Sequence, residues 1–238
     1  MEITRGYYDE INMGTLDAET REQVKTLVAA AGSNVDEHGS WNFGCEFDKK
    51  QRGQALNWDL YAVSNDVHDG RLLIVIQVRQ YTKRHKGWYP QVRKNYFLCG
   101  TNEDGSAFAH AVPATVVRTA INKERDACLA CQNWIFGGDY GRMIRHGDLA
   151  LIPLSKAPGA PAVSETNLVL EDSHELTAKA IRRNGHVYAL DPVLVHLPGT
   201  HPTVQATGWH RVVVGERAKF WSFAAPTADE RSGPRRCS

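Results

Sequence analysis

The sequence predicts an α+β protein, in which an N-terminal antiparallel sheet with two helices is followed by a compact all-β domain, a barrel or roll. Three observations lead there. Before residue 138, two stretches with apolar residues at helical spacing flank three runs of strand character. Beyond the glycine-rich FGGDYGR, short alternating or apolar runs follow one another with turn residues between them. The chain has 238 residues, enough to bury a full core, and at roughly 100–200 residues per domain it accommodates two.

Taken in order, TLDAETREQVKTLVAAAG (15–32) opens on capping-type residues and carries Leu16, Val24, Leu27, Val28 and Ala31 at mostly helical spacing. It ends on a glycine suited to the left-handed position. LNWDLYAVS and RLLIVIQVRQY read as two neighbouring strands joined through the turn-rich NDVHDG, and VRKNYFLCG as a third that ends at TNEDGS. Pro113 suits the first turn of a helix, long or broken, that runs through Trp134 to Gly137-Gly138. The remaining runs, DLALIPL, NLVLED, HELTAKAIRR, HVYALD, PVLVHL and GWHRVVV, are strands. The expected organisation is an α+β domain over 1–138, a β domain over 139–225, and a disordered tail over 226–238.

Composition narrows the function classes. Lys plus Arg number 28 against 27 Asp plus Glu, a formal charge of +1, so no global field draws the chain to nucleic acid or membrane. Any such attraction is local. Five scattered cysteines, an odd number, argue against a secreted disulfide framework and for a cytoplasmic protein. The N-terminus lacks a signal-type apolar region, and no apolar stretch approaches the roughly 18 residues of a membrane span, so the expectation is a soluble, unprocessed chain.

The runs RHGDLALIPL, SHELTAKAI and VLVHLPGTHPTVQATGWHRVVVGERAKFW cover the last third of the chain. They resemble a family of small bacterial and phage β-rich proteins of uncharacterised function, with a Gln-Gly-Asp-Val-Leu-Leu-Ile-Pro strand followed by histidine motifs. Where that family carries Gly-Glu-x-Thr-Gly-His-x-His, this chain has Glu175-Leu176-Thr177-Ala178-Lys179-Ala180 and lacks both histidines. The resemblance implies a compact β fold and no particular reaction.

Two histidine arrangements are legible. Asn184-Gly185 between alternating runs predicts a two-residue hairpin loop that pairs Arg183 with His186 and Ala180 with Ala189, placing His174 and His186 on opposite faces. In HLPGTHP, a tight turn centred on Pro198-Gly199 would set His196 opposite His201. His210 and His146 could approach from neighbouring strands, and Asp148 or Glu175 could supply a carboxylate. One reading is a centre for a single transition-metal ion, zinc or iron, held by His196, His201 and His210, as in a metal-dependent hydrolase or oxygenase. The plainer reading is that these imidazoles bond to one another or to carbonyls on a half-exposed sheet. Cys128 and Cys131 resemble half a zinc site, but no second half follows, and inside a helix they read as buried structural residues.

The most uneven charge lies between Arg71 and Asn102. That stretch holds no Asp or Glu but seven cations, Arg71, Arg79, Lys83, Arg84, Lys86, Arg93 and Lys94, interleaved with Tyr81, Trp88, Tyr89, Tyr96 and Phe97. Cations that track phosphates beside rings that stack on bases are the ingredients of single-stranded nucleic-acid binding. The plain alternative is a solvated hairpin with rings inward and charges outward. Asp59 followed by Gln77-Val78-Arg79 also has the order of a nuclease Asp…Glu-x-Lys site, but Gln for Glu and Arg for Lys leave one ligand. The sequence therefore points to a binding or accessory protein that contacts an anionic partner, RNA or DNA among them, through Arg79, Lys83, Arg84, Lys86, Trp88, Tyr89, Arg93 and Lys94. The metal-dependent enzyme is the alternative.

Overall fold

The computed structural model describes residues 5–6, 9–33, 54–66, 70–82, 91–102, 105, 107–197, 199 and 202–215. The fold is α+β: among the described residues there are three α-helices and three antiparallel sheets, with strand predominating. Among the described residues no helix is long and apolar enough to cross a membrane.

The first sheet is a meander of β1 (Gln54–Asn65), β2 (Leu72–Thr82), β3 (Gln91–Thr101) and β4 (Ala107–Val112) in sequential order. Both of its faces are covered. Helix α1 (Ala18–Ser33) buries Val24, Leu27, Val28 and Ala31 in one cluster with Leu60, Ile74, Ile76, Phe97 and Cys99. Asp17 sets where that helix starts, accepting from the Thr20 backbone N–H at 2.7 Å and from its hydroxyl. The helix continues through Gly32 to Ser33 instead of stopping at the glycine.

The opposite face is covered by α2 (Ala114–Asn122) and α3 (Ala127–Phe136), so the long or broken helix expected after Pro113 is the broken one. The break falls where Glu124 adopts a positive φ of 53° and Asp126 accepts from the N–H groups of Cys128 and Leu129, capping a second helix. Gly137, at φ 69°, ends α3 in the left-handed conformation that suits glycine. A bulge between Leu60 and Ala62 lets β1 serve both faces: Leu60 joins the α1 cluster, while Tyr61 and Ala62 turn toward α2 and α3.

After Gly138 the strands form two further sheets. One has the order β5 (Ile144–His146), β6 (Leu149–Pro153), β13 (Trp209–Val214), β10 (Val187–Leu190), β9 (Ala180–Arg183). The other has the order β12 (Val204–Gln205), β11 (Val193–His196), β8 (His174–Thr177), β7 (Asn167–Leu170). The described pairings leave two open sheets and do not close a barrel. Leu149, Leu151, Ile181, Ala189 and Val212 of the first form one buried cluster with Leu176 and Leu194 of the second. Strand β6 alternates, so Ala150 and Ile152, with Met143 and Val213, instead enter the cluster of α2, α3 and the N-terminal sheet.

Two registers differ from expectation. The β9–β10 hairpin pairs Arg183 with Val187 and Ile181 with Ala189, so its loop is Asn184-Gly185-His186, with Gly185 at φ 66°. A two-residue loop would have set Ala180 against Ala189. The observed one turns Ile181, the larger apolar side chain, fully inward. HELTAKAIRR is also not one strand, because the chain leaves one sheet after Thr177 and enters the other at Ala180.

Candidate functional site

In the N-terminal sheet, β2 and β3 are antiparallel neighbours whose register runs from Ile74↔Cys99 to Thr82↔Gln91. Arg79 is therefore opposite Lys94, and Gln80 opposite Arg93, within the last rungs before the connection 83–90. Lys94 is exposed. Lys83, Arg84, Lys86, Trp88 and Tyr89 lie outside the described residues. Farther along the hairpin the aromatic side chains turn inward. Tyr96 is buried, receives a hydrogen bond from the Gln77 amide at 2.5 Å and from Arg118 Nε at 3.4 Å, and meets Tyr61 edge-on at 5.1 Å. Gln77 stands opposite Asp59 but is buried and spends its amide on Tyr96, which gives the Asp59, Gln77 and Arg79 trio a packing role for its middle member. Burial, with Tyr96 beside it, pushes the Tyr61 hydroxyl well above the usual tyrosine range.

The second concentration of chemistry is a row of imidazoles in the C-terminal half. His146 and Leu149 are paired across the two-residue turn Gly147-Asp148, with Gly147 at φ 59°, where glycine carries no steric cost. In the neighbouring sheet His196 is opposite His174. The rings follow one another: His146 to His174 at 5.1 Å between centroids, and His174 to His196 at 4.8 Å. His146 and His174 are buried, and His196 is half-buried. Ring nitrogens are engaged on the outer side, His146 Nε2 with the Pro202 carbonyl at 3.1 Å and His174 Nδ1 with the Ser173 hydroxyl at 3.0 Å, with an Asp148 carboxylate oxygen 3.7 Å from that nitrogen.

Arg145 supports this turn from behind. Its Nε donates to the Gly147 carbonyl at 2.9 Å, its guanidinium lies 3.9 Å from the centroid of Phe108, and Nη2 is 3.0 Å from His110 Nε2. One side chain thus ties the imidazole turn to β4 of the first sheet. An arginine only donates, so His110 Nε2 accepts and the ring is neutral. Burial, aided by the Arg145 charge, drives the His110 pKa far below its ordinary value.

Of the metal set read from the sequence, His196 and His210 stand on strands of different sheets, β11 and β13. The β11–β12 ladder pairs Leu194 with Val204 and Val193 with Gln205, one residue away from the register that would put His196 opposite His201; His201 itself lies outside the described residues. His210, on β13, bonds through Nδ1 to the Gly208 carbonyl at 3.1 Å. It sits four residues along the strand from Val214, the partner of Leu149, a rise of about 13 Å at roughly 3.3 Å per residue. His186 is exposed beside Arg211 and Tyr188. Among the described residues no three or more His, Cys, Asp or Glu side chains are gathered so as to hold a metal ion.

What sequence reasoning underweighted was His146 and His174 as immediate neighbours. The signal available was His-Gly-Asp followed by an apolar run, a glycine-first hairpin turn with an imidazole on one side and a carboxylate in it. Cys128 and Cys131 are free and buried. The helix start that a redox pair needs is in fact present, at Ala127, but burial pushes the Cys131 thiol up to about 12 and Cys128 well above the thiol range. No protein-family model, no curated protein and no solved structure matches this chain.

Proposed function

We propose that this is a cytoplasmic protein that binds single-stranded nucleic acid through the end of the β2–β3 hairpin. The supporting observation is the register. Because the two strands are antiparallel partners, the positions of Arg79, Arg93 and Lys94 fall on rungs at the end of the hairpin next to 83–90, the connection that carries Lys83, Arg84, Lys86, Trp88 and Tyr89 in sequence. The charge concentrated in this part of the sequence stands out on a chain whose net charge is only +1. Three free, buried cysteines agree with a reducing compartment.

The test is fluorescence anisotropy of a labelled 20-nucleotide single strand, DNA and RNA in turn, with the full chain. If the six cations from Arg79 to Lys94 each meet a phosphate, a slope near −0.7 per contact makes the affinity fall about 300-fold between 50 and 200 mM salt. Charge reversal at Lys83, Arg84 and Lys86 together removes binding, and Trp88→Ala weakens it with the salt slope unchanged. Absence of binding at 50 mM salt, or binding indifferent to the charge reversal, refutes the reading.

A further inference from the structure

Helices α2 and α3 enclose an open groove of about 360 Å³ that shares no residue with the β2–β3 hairpin. Its floor follows from helical spacing. Val116, Ala120 and Lys123 stand at i, i+4 and i+7 and so share one stripe along α2 and its C-terminal end, with Thr115 and Thr119 as a second row beside it. Ala130 of α3 lines the groove from the other helix. Val116 and Ala130 are half-buried and Ala120 is buried, so the groove has an apolar base although it is open to water.

The end of α2 supplies the charge. Glu124, at φ 53°, takes the left-handed position that glycine usually fills; its N–H donates to the Ile121 carbonyl at 3.0 Å, and the Arg125 N–H donates to the Ala120 carbonyl at 2.9 Å. That pair of bonds folds the residue after the turn back over the last turn of the helix, which is how Arg125 comes to line the same groove as Ala120 and Lys123. Both cations are exposed, and among the described residues neither has an ion pair. Glu124 and Asp126 alternate with them in the sequence but do not line the groove, and Asp126 is engaged by the N–H groups of Cys128 and Leu129.

The geometry points to a binding site for a small amphipathic carboxylate, an aliphatic or aromatic acid of roughly a dozen non-hydrogen atoms at about 30 Å³ each. Its carboxylate meets Lys123 and Arg125, with the Thr119 hydroxyl one turn before Lys123, and its apolar body lies over Val116, Ala120 and Ala130. Charge complementarity selects an anion, and the dimensions select a small one. From Thr115 to Lys123 the groove runs about 12 Å at 1.5 Å per residue, and two turns of a partner helix laid there would bury far less than the roughly 800 Å² per partner of a stable protein interface.

The experiment titrates the full chain with octanoate, followed by amide-resolved NMR, and uses octanol as the uncharged molecule of the same length. One saturable site is expected, with a Kd on the order of 1 mM or tighter and shifts confined to α2, the turn after it and the start of α3. Lys123→Gln and Arg125→Gln together weaken octanoate about tenfold and leave octanol unchanged. Thr119→Phe, an exposed change that fills the groove, blocks both ligands, with the circular dichroism of each variant unchanged. No saturable shift at about 10 mM octanoate, equal affinity for octanol and octanoate, or octanoate binding untouched by the double variant would each overturn the proposal. So would an acidic helical peptide that displaces octanoate at about a tenth of its concentration, since the groove would then belong to a protein partner.

Discussion

His110 lets acid stability be traced to one ring. It sits on β4 opposite Leu98, is 1% exposed, meets Phe108 edge-on, and accepts from Arg145. In the unfolded chain the ring titrates near 6.5, whereas in the folded protein burial and the Arg145 charge keep it neutral far below that. The unfolded state therefore binds the extra proton. The stabilisation is complete above about pH 6.5 and is lost as pH falls, with a limiting slope of about 1.4 kcal/mol per pH unit. Between pH 8 and pH 5 the loss integrates to about 2 kcal/mol. The assay is urea denaturation of the wild type and of His110→Gln, whose amide oxygen still accepts from Arg145 but does not titrate. Subtracting the two curves removes every other titrating group and any constant cost of the substitution. The difference in unfolding free energy, wild type minus variant, should drop by about 2 kcal/mol toward pH 5. A difference flat with pH would mean that His110 titrates alike in both states, refuting the assignment of a neutral buried ring.

Arg145→Met keeps the length of the side chain but removes its bonds to Gly147 and His110 and its contact with Phe108, at an expected cost of about 2–4 kcal/mol in urea unfolding. A cost below 0.5 kcal/mol would show that it does not tie the sheets together. Cys99, Cys128 and Cys131 are buried, and burial raises each thiol, so in a Cys45→Ser, Cys237→Ser background the native protein should react with a thiol reagent at pH 8 only as it unfolds. Rapid native labelling of one equivalent would contradict this.

The first sheet was readable because its signals are local. Runs such as RLLIVIQVRQY are apolar on both faces, as a strand covered by helices on both sides must be, and their ends came within one or two residues of the observed strands. Strand β4 was missed for the converse reason. AFAHAV alternates Ala and Val with one Phe and a histidine, so its apolar signal is weak although most of it is buried. The next stretch reads in the sequence as one helix, long or broken, and the signal that decides for the break is Asp126, a capping residue after the charged NKER.

The imidazole row fails to show in the sequence for a different reason. Counting by twos fixes faces only within one strand, and HELTAKAIRR divides between two sheets after Thr177, so the side of His174 says nothing of Ala180 or His186. The partner of His174 is His196, 22 residues later, chosen by which strands pair and not by any turn between them. That choice follows from burial: on the same face, Leu176 opposite Leu194 fills the space between the sheets, and once that pair is set His174 must meet His196 one step along. The turn from His146 to Leu149 then presents its own ring to the same place, held there by Arg145 from β5 and by Leu149 in the shared cluster. Apolar packing thus fixes where the three imidazoles meet, and polar groups at its edge, the Pro202 carbonyl and the Ser173 hydroxyl, engage His146 Nε2 and His174 Nδ1 there.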